Sequence, residues 1–297
     1  MMKTWIVKST LIGLSCLMLP ADSSDLFTKG SGAVGQGTLR GLKPILPSTE
    51  AQYQEAVGVP SGRSSEQAWD AYYSSKGEGQ VVHPDEKTDL LRQVDPCLKK
   101  LAQEQSFEID EALVAPSETG ENAVFLAIQG VLHIDGVEIS KVAVDRATEL
   151  AKQFQVDHRL QLEQGSLRNF FISPHSYDFL FTRGYYRESV LHELLLGLRK
   201  DKSRSSKAIK ALLVYSLSER SMGLLESNQI TIISPELKGR SLNELLDYSA
   251  HHPEVPESFK VDSDQIRKII HGMGFQVMRV DHYASLEKGV FGCFLVQ

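Results

Sequence analysis

At 297 residues and 33.0 kDa, the chain has room for one α/β domain plus appendages. Its hydrophobic content of 41% and charged content of 24% describe a soluble globular protein. A formal net charge of −6 with a pI near 5.9 argues against nonspecific nucleic-acid binding, which requires a basic face, so no nucleic-acid partner is expected.

Residues 1–21 have the order of a secretory signal. Lys3 and Lys8 lie in the first segment, Thr10 to Leu19 is almost entirely apolar, and Ala21 offers a small residue at a cleavage point before Asp22. The apolar run is too short to span a bilayer comfortably. Export to a periplasmic or secreted location is therefore expected, with a cytoplasmic location as the alternative, and no stable membrane span should survive cleavage. Residues 22–65 are rich in Gly, Ser and Pro and read as a linker or arm, with a weak helix around Ser48 to Glu55.

Order returns near Glu66, in Ala68-Trp69-Asp70-Ala71-Tyr72-Tyr73. Pro84 suits a helical first turn, and Leu90, Leu91, Val94, Leu98 and Leu101 mark one buried helical face. Residues 66–110 thus read as helices ahead of the sheet. The densest segment is Ala112 to Ser140, which holds a strand, a turn from Pro116 to Gly120, a helix over Glu121 to Gln129 and a second strand over Ile134 to Ile139. A parallel βαβ unit is right-handed. It brings Gly120 and Glu138 to the edge where open α/β sheets bind nucleotides, and a carboxylate there can accept both hydroxyls of a ribose.

Alternation continues beyond Ser140: a helix over Lys141 to Phe154 with Val142, Ala143, Ala147, Leu150 and Ala151 inward, strands over Arg159 to Leu162 and Tyr177 to Thr182, a helix over Ser189 to Leu198, and an apolar strand over Ala211 to Tyr215. The basic run Arg199 to Lys207 reads as a solvated helix end and loop. Two helices follow, near Ser241 to Ser249 and Ser263 to Met273. Phe275 to Val280 and Val290 to Val296 close the chain as a hairpin around Glu287-Lys288-Gly289. Cys97 and Cys293 either form one disulfide or stay as buried thiols, and neither has a companion at metal-ligand spacing. No metal is expected. His133, His158, His175 and His192 are scattered singly, and no catalytic base is assigned.

The stretch Thr119-Gly120-Glu121-Asn122-Ala123-Val124-Phe125-Leu126-Ala127, with Gly136-Val137-Glu138-Ile139-Ser140, resembles the class I S-adenosylmethionine-dependent methyltransferases, and within them the thiopurine and tellurite-resistance group. Gln164-Gly165-Ser166-Leu167, Ser176-Tyr177-Asp178-Phe179-Leu180-Phe181 and the WDxxY-like Trp69-Asp70-Ala71-Tyr72-Tyr73 are similar to further elements of that group. The resemblance covers roughly Glu66 to Gln297 and implies that residues 66–110 are cap helices. It implies a Rossmann-like, doubly wound, seven-stranded α/β sheet, mostly parallel with an antiparallel last strand and with helices on both faces.

The resemblance further implies a monomer that binds S-adenosylmethionine and methylates a small molecule. Carried over by position, Glu118, Gly120, Asn122, Glu138, Ile139, Ser166, Leu167 and Thr182 would bind the cofactor, and Trp69, Tyr72, Tyr73, Arg183 and Tyr186 the acceptor. The sequence departs from the group where Ala115-Pro116-Ser117 replace its GCG turn, where Glu118 stands for a small residue and where Ser166 replaces an aspartate. Those departures motivate an alternative, a noncatalytic, exported or membrane-proximal binding protein of the same fold that has lost the cofactor.

Overall fold

The computed structural model describes residues 65–75, 87–104, 109–167, 170–184, 188–199, 209–250, 260–286 and 289–297. The expected signal, almost all of the arm, Pro84, Tyr185, Tyr186, Arg187, most of the basic run and the tip residues Glu287 and Lys288 lie outside these residues.

Three helices precede the sheet: α1 (Ser65–Ser75), α2 (Lys87–Gln93) and α3 (Pro96–Glu104). The single apolar face expected from Leu90 to Leu101 is split at Val94 and Asp95. Pro96 suits the first turn of a new helix, and Asp95 caps it by accepting the Cys97 N–H at 2.9 Å. Leu90, Val94, Leu98 and Leu101 are buried, whereas Leu91, one residue round the helix from Leu90, faces out.

The sheet then unfolds in chain order as β1 (Glu111–Val114), α4 (Glu121–Ile128), β2 (His133–Glu138), α5 (Lys141–Gln153), β3 (Leu160–Gln164), β4 (Phe179–Arg183), α6 (Glu188–Leu196), β5 (Ala211–Ser216), α7 (Glu219–Met222), β6 (Ile230–Ile232), α8 (Leu242–Ala250), α9 (Ser263–Gly272), β7 (Val277–Ser285) and β8 (Gly289–Val296). Its strand order is β3-β2-β1-β4-β5-β8-β7-β6. Strand β8 runs antiparallel to both β5 and β7, and every other pairing is parallel.

This corrects the expected seven strands to eight. The extra strand, β6, is three residues long and pairs parallel with β7 at Ile230↔His282, Thr231↔Tyr283 and Ile232↔Ala284. Three residues are too few to show a period of two in sequence. Strand β7 also runs to Ser285, five residues past the expected limit, because its pairing with β8 continues to Ser285↔Gly289.

Strand alternation sends side chains to two cores. Leu113, Leu180, Leu213 and Phe294 pack with Leu191, Leu194, Ile266 and Ile270 of α6 and α9. Val114, Phe181, Val214 and Leu295 pack with Leu90, Leu98, Phe125 and Leu150 of α2 to α5. Helix α5 turns Val144 into the core and leaves the expected Val142 half-buried. Cys97 of α3 and Cys293 of β8 are buried and joined as a disulfide, with Cα atoms 6.2 Å apart. Among the described residues no helix is long and apolar enough to cross a membrane.

Candidate functional site

Sheet order reverses between β1 and β4, which opens a crevice at the carboxyl ends of the strands. The β1–α4 turn enters it under tight constraint. Ala115 N–H donates to the Phe181 carbonyl at 3.0 Å, Ser117 N–H to Val137 at 2.8 Å and Gly120 N–H to Ser117 at 3.0 Å. Gly120 adopts φ +92°, and a Cβ on it would stand 2.6 Å from the Cβ of Ala147 in α5. Only glycine fits a site that needs both the left-handed backbone and this close approach.

Glu138 ends β2 and is 3% exposed. One carboxylate oxygen accepts the Glu118 N–H and the other the Ser140 N–H, each at 3.1 Å. Each oxygen keeps one further acceptor position, so the residue is arranged to take two vicinal hydroxyls. Burial pushes this carboxyl up to about 7, the Ser140 N–H pulls it back, and the charge of Glu118 adds to the rise.

Glu118 occupies φ +50°, a left-handed conformation that disfavours a residue with a Cβ by about 1 kcal/mol. Its carboxylate pairs with Arg183 at 2.5 Å. Arg183 also faces Asp95 at 3.6 Å, and Asp95 is fully buried. Burial pulls the Arg183 guanidinium down, but Glu118, Asp95 and Glu121 together hold it above its ordinary range. Burial raises the Glu121 carboxyl, with partial relief from the Thr119 hydroxyl. Three carboxyl groups thus gather around one guanidinium, an environment that favours a ligand carrying positive charge.

Helix α1 closes over this cluster. Asp70 accepts the Ser140 hydroxyl at 2.5 Å and the Val142 N–H at 3.3 Å, which ties α1 to the start of α5. Gln164 donates to Glu66 at 2.7 Å and to the Ile139 carbonyl at 3.3 Å. Burial raises the Tyr73 phenol, and the charges of Glu118 and Glu138 raise it further, so it remains a neutral donor within their field. Trp69, Tyr72 and Tyr73 contact one another with ring centroids 5.2 to 6.0 Å apart.

The sequence-derived residues therefore divide. Glu118, Gly120, Glu138 and Arg183 converge, and Tyr73 lies within the same electrostatic field. The backbone beside Ser166 and Leu167 is joined to β2 by a 2.8 Å bond from Gly165 N–H to the Glu138 carbonyl. Asn122 is buried and accepts the Asp95 N–H on its Oδ1 at 2.9 Å, so it braces α3 against α4. Thr182 is fully buried at the end of β4. Its hydroxyl and that of Ser117 have no hydrogen-bond partner among the described residues, which leaves two polar groups unmet at the crevice. Tyr186 lies outside the described residues.

Sequence reading missed Asp95 and Asp70 as members of the site. Asp95 carried one signal, an acid before the proline that opens a helix. Asp70 carried only its place in the WDxxY-like segment. Among the described residues no group of three or more His, Cys, Asp and Glu side chains is arranged to hold a metal ion.

No protein-family model matches the chain and no curated protein matches it. Solved structures do match. Magnesium protoporphyrin IX methyltransferase from Synechocystis PCC 6803, with bound S-adenosylhomocysteine, is 14% identical with a TM-score of 0.49 over 77% of this chain and 94% of that one. A S-adenosylmethionine-dependent methyltransferase from Geobacter sulfurreducens, in complex with S-adenosylhomocysteine, is 12% identical with a TM-score of 0.48 over 69% and 91%. A putative sarcosine dimethylglycine methyltransferase from Galdieria sulphuraria is 12% identical with a TM-score of 0.47 over 83% and 97%.

Proposed function

We propose that the chain is an S-adenosylmethionine-dependent methyltransferase acting on a small molecule. One observation carries the reading: Glu138 ends β2 with each carboxylate oxygen steadied by a backbone N–H and each still able to accept a hydroxyl. That is the chemistry of ribose recognition at a topological switch point. The surrounding groups fit the rest of the cofactor. Glu118 and Glu121 match its onium and ammonium charges, Arg183 its carboxylate, and the unmet Ser117 and Thr182 hydroxyls flank the crevice. Ser166 and Leu167 follow β3, beside the Glu138 backbone, where an adenine ring would lie.

The bound group supplies a methyl already activated on a sulfonium. The protein's own work is alignment and exclusion of water. Glu138 and the Gly120 turn fix the nucleoside, and the Glu118–Arg183 pair orients its amino-acid end. Helix α1, held through Asp70, covers the site and presents Trp69, Tyr72 and Tyr73 toward the acceptor. An acceptor with a soft nucleophile needs no base, in keeping with a cluster that, among the described residues, holds acids and no histidine.

The second reading, a noncatalytic binding protein, is favoured by the Glu118–Arg183 pair and by the near-complete burial of Glu138. Calorimetric titration of the full chain with S-adenosylmethionine and S-adenosylhomocysteine separates the two. Micromolar binding, abolished by Glu138→Ala, is the outcome expected of the enzyme. No heat from folded protein would leave the noncatalytic reading. Export, expected from residues 1–21, is supported by the Cys97–Cys293 bond, since disulfides persist in oxidising compartments.

A further inference from the structure

The site is connected to the cystine by a continuous series of short contacts. Cys97 lies in the first turn of α3 and its N–H donates to Asp95 Oδ1 at 2.9 Å. Asp95 Oδ2 stands 3.6 Å from Arg183 Nη1, and Arg183 Nη2 stands 2.5 Å from Glu118 Oε2. The Glu118 N–H then donates to Glu138 at 3.1 Å. A covalent bond, a helix cap, two ion pairs and a backbone hydrogen bond thus run from Cys293 in β8 to the acid at the end of β2.

The far end of α3 is held by other means. Glu104 pairs with Arg279 of β7 at 2.5 Å, and Lys100 with Asp281 at 3.3 Å. Opening the disulfide leaves those ties in place. It removes the covalent tie from the first turn, beside Asp95, whose own N–H stays bonded to Asn122.

We infer that the Cys97–Cys293 bond positions Asp95, and through it the Arg183–Glu118 pair, so that ligand affinity at the site follows the oxidation state of this one cystine. Asp95 is a positioning residue and needs no contact with ligand. The cofactor reading enters only as the choice of reporting ligand. In the reductive direction the Sγ–Sγ bond breaks, and a dithiol reductant supplies two electrons and two protons. Cys97 and Cys293 become thiols and the reductant's sulfurs become a disulfide. Cys97 is 4% exposed and Cys293 is fully buried, so the incoming thiolate reaches Cys97 when the first turn of α3 opens locally.

Amide hydrogen exchange on the full chain tests this in the oxidised form, after reduction with dithiothreitol, and after reoxidation. The amides of Glu118 and Ser140 are expected to exchange about tenfold faster on reduction, within the range reached by coupling through contiguous contacts, and to recover on reoxidation. Amides of Leu212, Leu213 and Val214 in β5 open only with the whole fold, so they should speed up by no more than the fall in global stability on reduction and should stay slower than the site amides in both redox states. Asp95→Asn should loosen the same two amides in the oxidised chain, and reduction should then add nothing, as for two changes acting on one path. S-adenosylhomocysteine affinity should weaken in parallel.

Equal exchange at Glu118 and Ser140 in both redox states would overturn the inference. So would additivity of Asp95→Asn with reduction, or exchange of Glu118 and Ser140 at the β5 rate in both redox states, which would mean that the site opens only with the whole fold. If the ligand binds neither redox form, the cofactor reading falls and the exchange data alone decide the coupling.

Discussion

Glu138 carries a pH dependence opposite to that of most structural carboxylates. Its folded-state value, about 7, lies above the ordinary 4.5. Below the lower value the group is protonated in folded and unfolded chains alike. Between the two values the folded chain keeps a proton that the unfolded chain has shed, so stability falls as pH rises through this window. Above the upper value the full penalty remains, about 3 kcal/mol from this group. Glu138→Gln should flatten the loss of stability between about pH 5 and pH 8, measured by urea unfolding at both pH values in both proteins. An unchanged slope would mean that burial does not disfavour the Glu138 carboxylate. Glu138 was legible in sequence because a strand, a turn and a helix of fixed lengths dictate where the next strand ends. The partner of Arg183 was not. Its ion pair with Glu118 spans 65 positions, and no local pattern records such a pairing.

At the scale of elements, one close packing constraint is the contact between the start of α4 and the middle of α5. Gly120→Ala places a methyl 2.6 Å from the Ala147 Cβ at a residue with φ +92°. Overpacking and backbone strain together should destabilise the fold by about 2–4 kcal/mol, read as a fall in urea midpoint. Substituting Ala147 by Gly in the same chain should return part of that loss, because it removes the clashing methyl and leaves the strain. This constraint was visible in the sequence as a single glycine within turn chemistry. The division of α2 from α3 was visible only in part. Pro96 signalled a helix start, yet the leucine spacing on either side mimics one continuous face. Strand β6 escaped because an edge strand of three residues is defined by its neighbour, β7, rather than by its own pattern.

For the whole molecule, the alternating strands and helices were sufficient to give a doubly wound sheet with an antiparallel closing strand. Apolar runs of the right length, separated by amphipathic helices, leave few other layer arrangements. The pairing of Cys97 with Cys293 was left open, since two cysteines 196 residues apart carry no evidence of proximity until the sheet order is known. Replacing Cys293 by Ser should lower stability by about 2–5 kcal/mol, measured as the difference in urea unfolding between variant and oxidised parent. Under a thiol reductant that difference should nearly vanish. A variant equal to the oxidised parent would show that the cystine contributes nothing to the fold.

That separation also has a consequence in time. Strand β8 follows every other strand in the sheet, so Cys293 is made after all of them. At ribosomal rates of about 5–20 residues per second, Cys97 waits roughly 10 to 40 s for its partner. Throughout that interval it is an unpaired thiol, open to glutathione or to a neighbouring chain. A mixed disulfide formed at Cys97 in that interval must be resolved by thiol exchange before the Cys97–Cys293 bond can close.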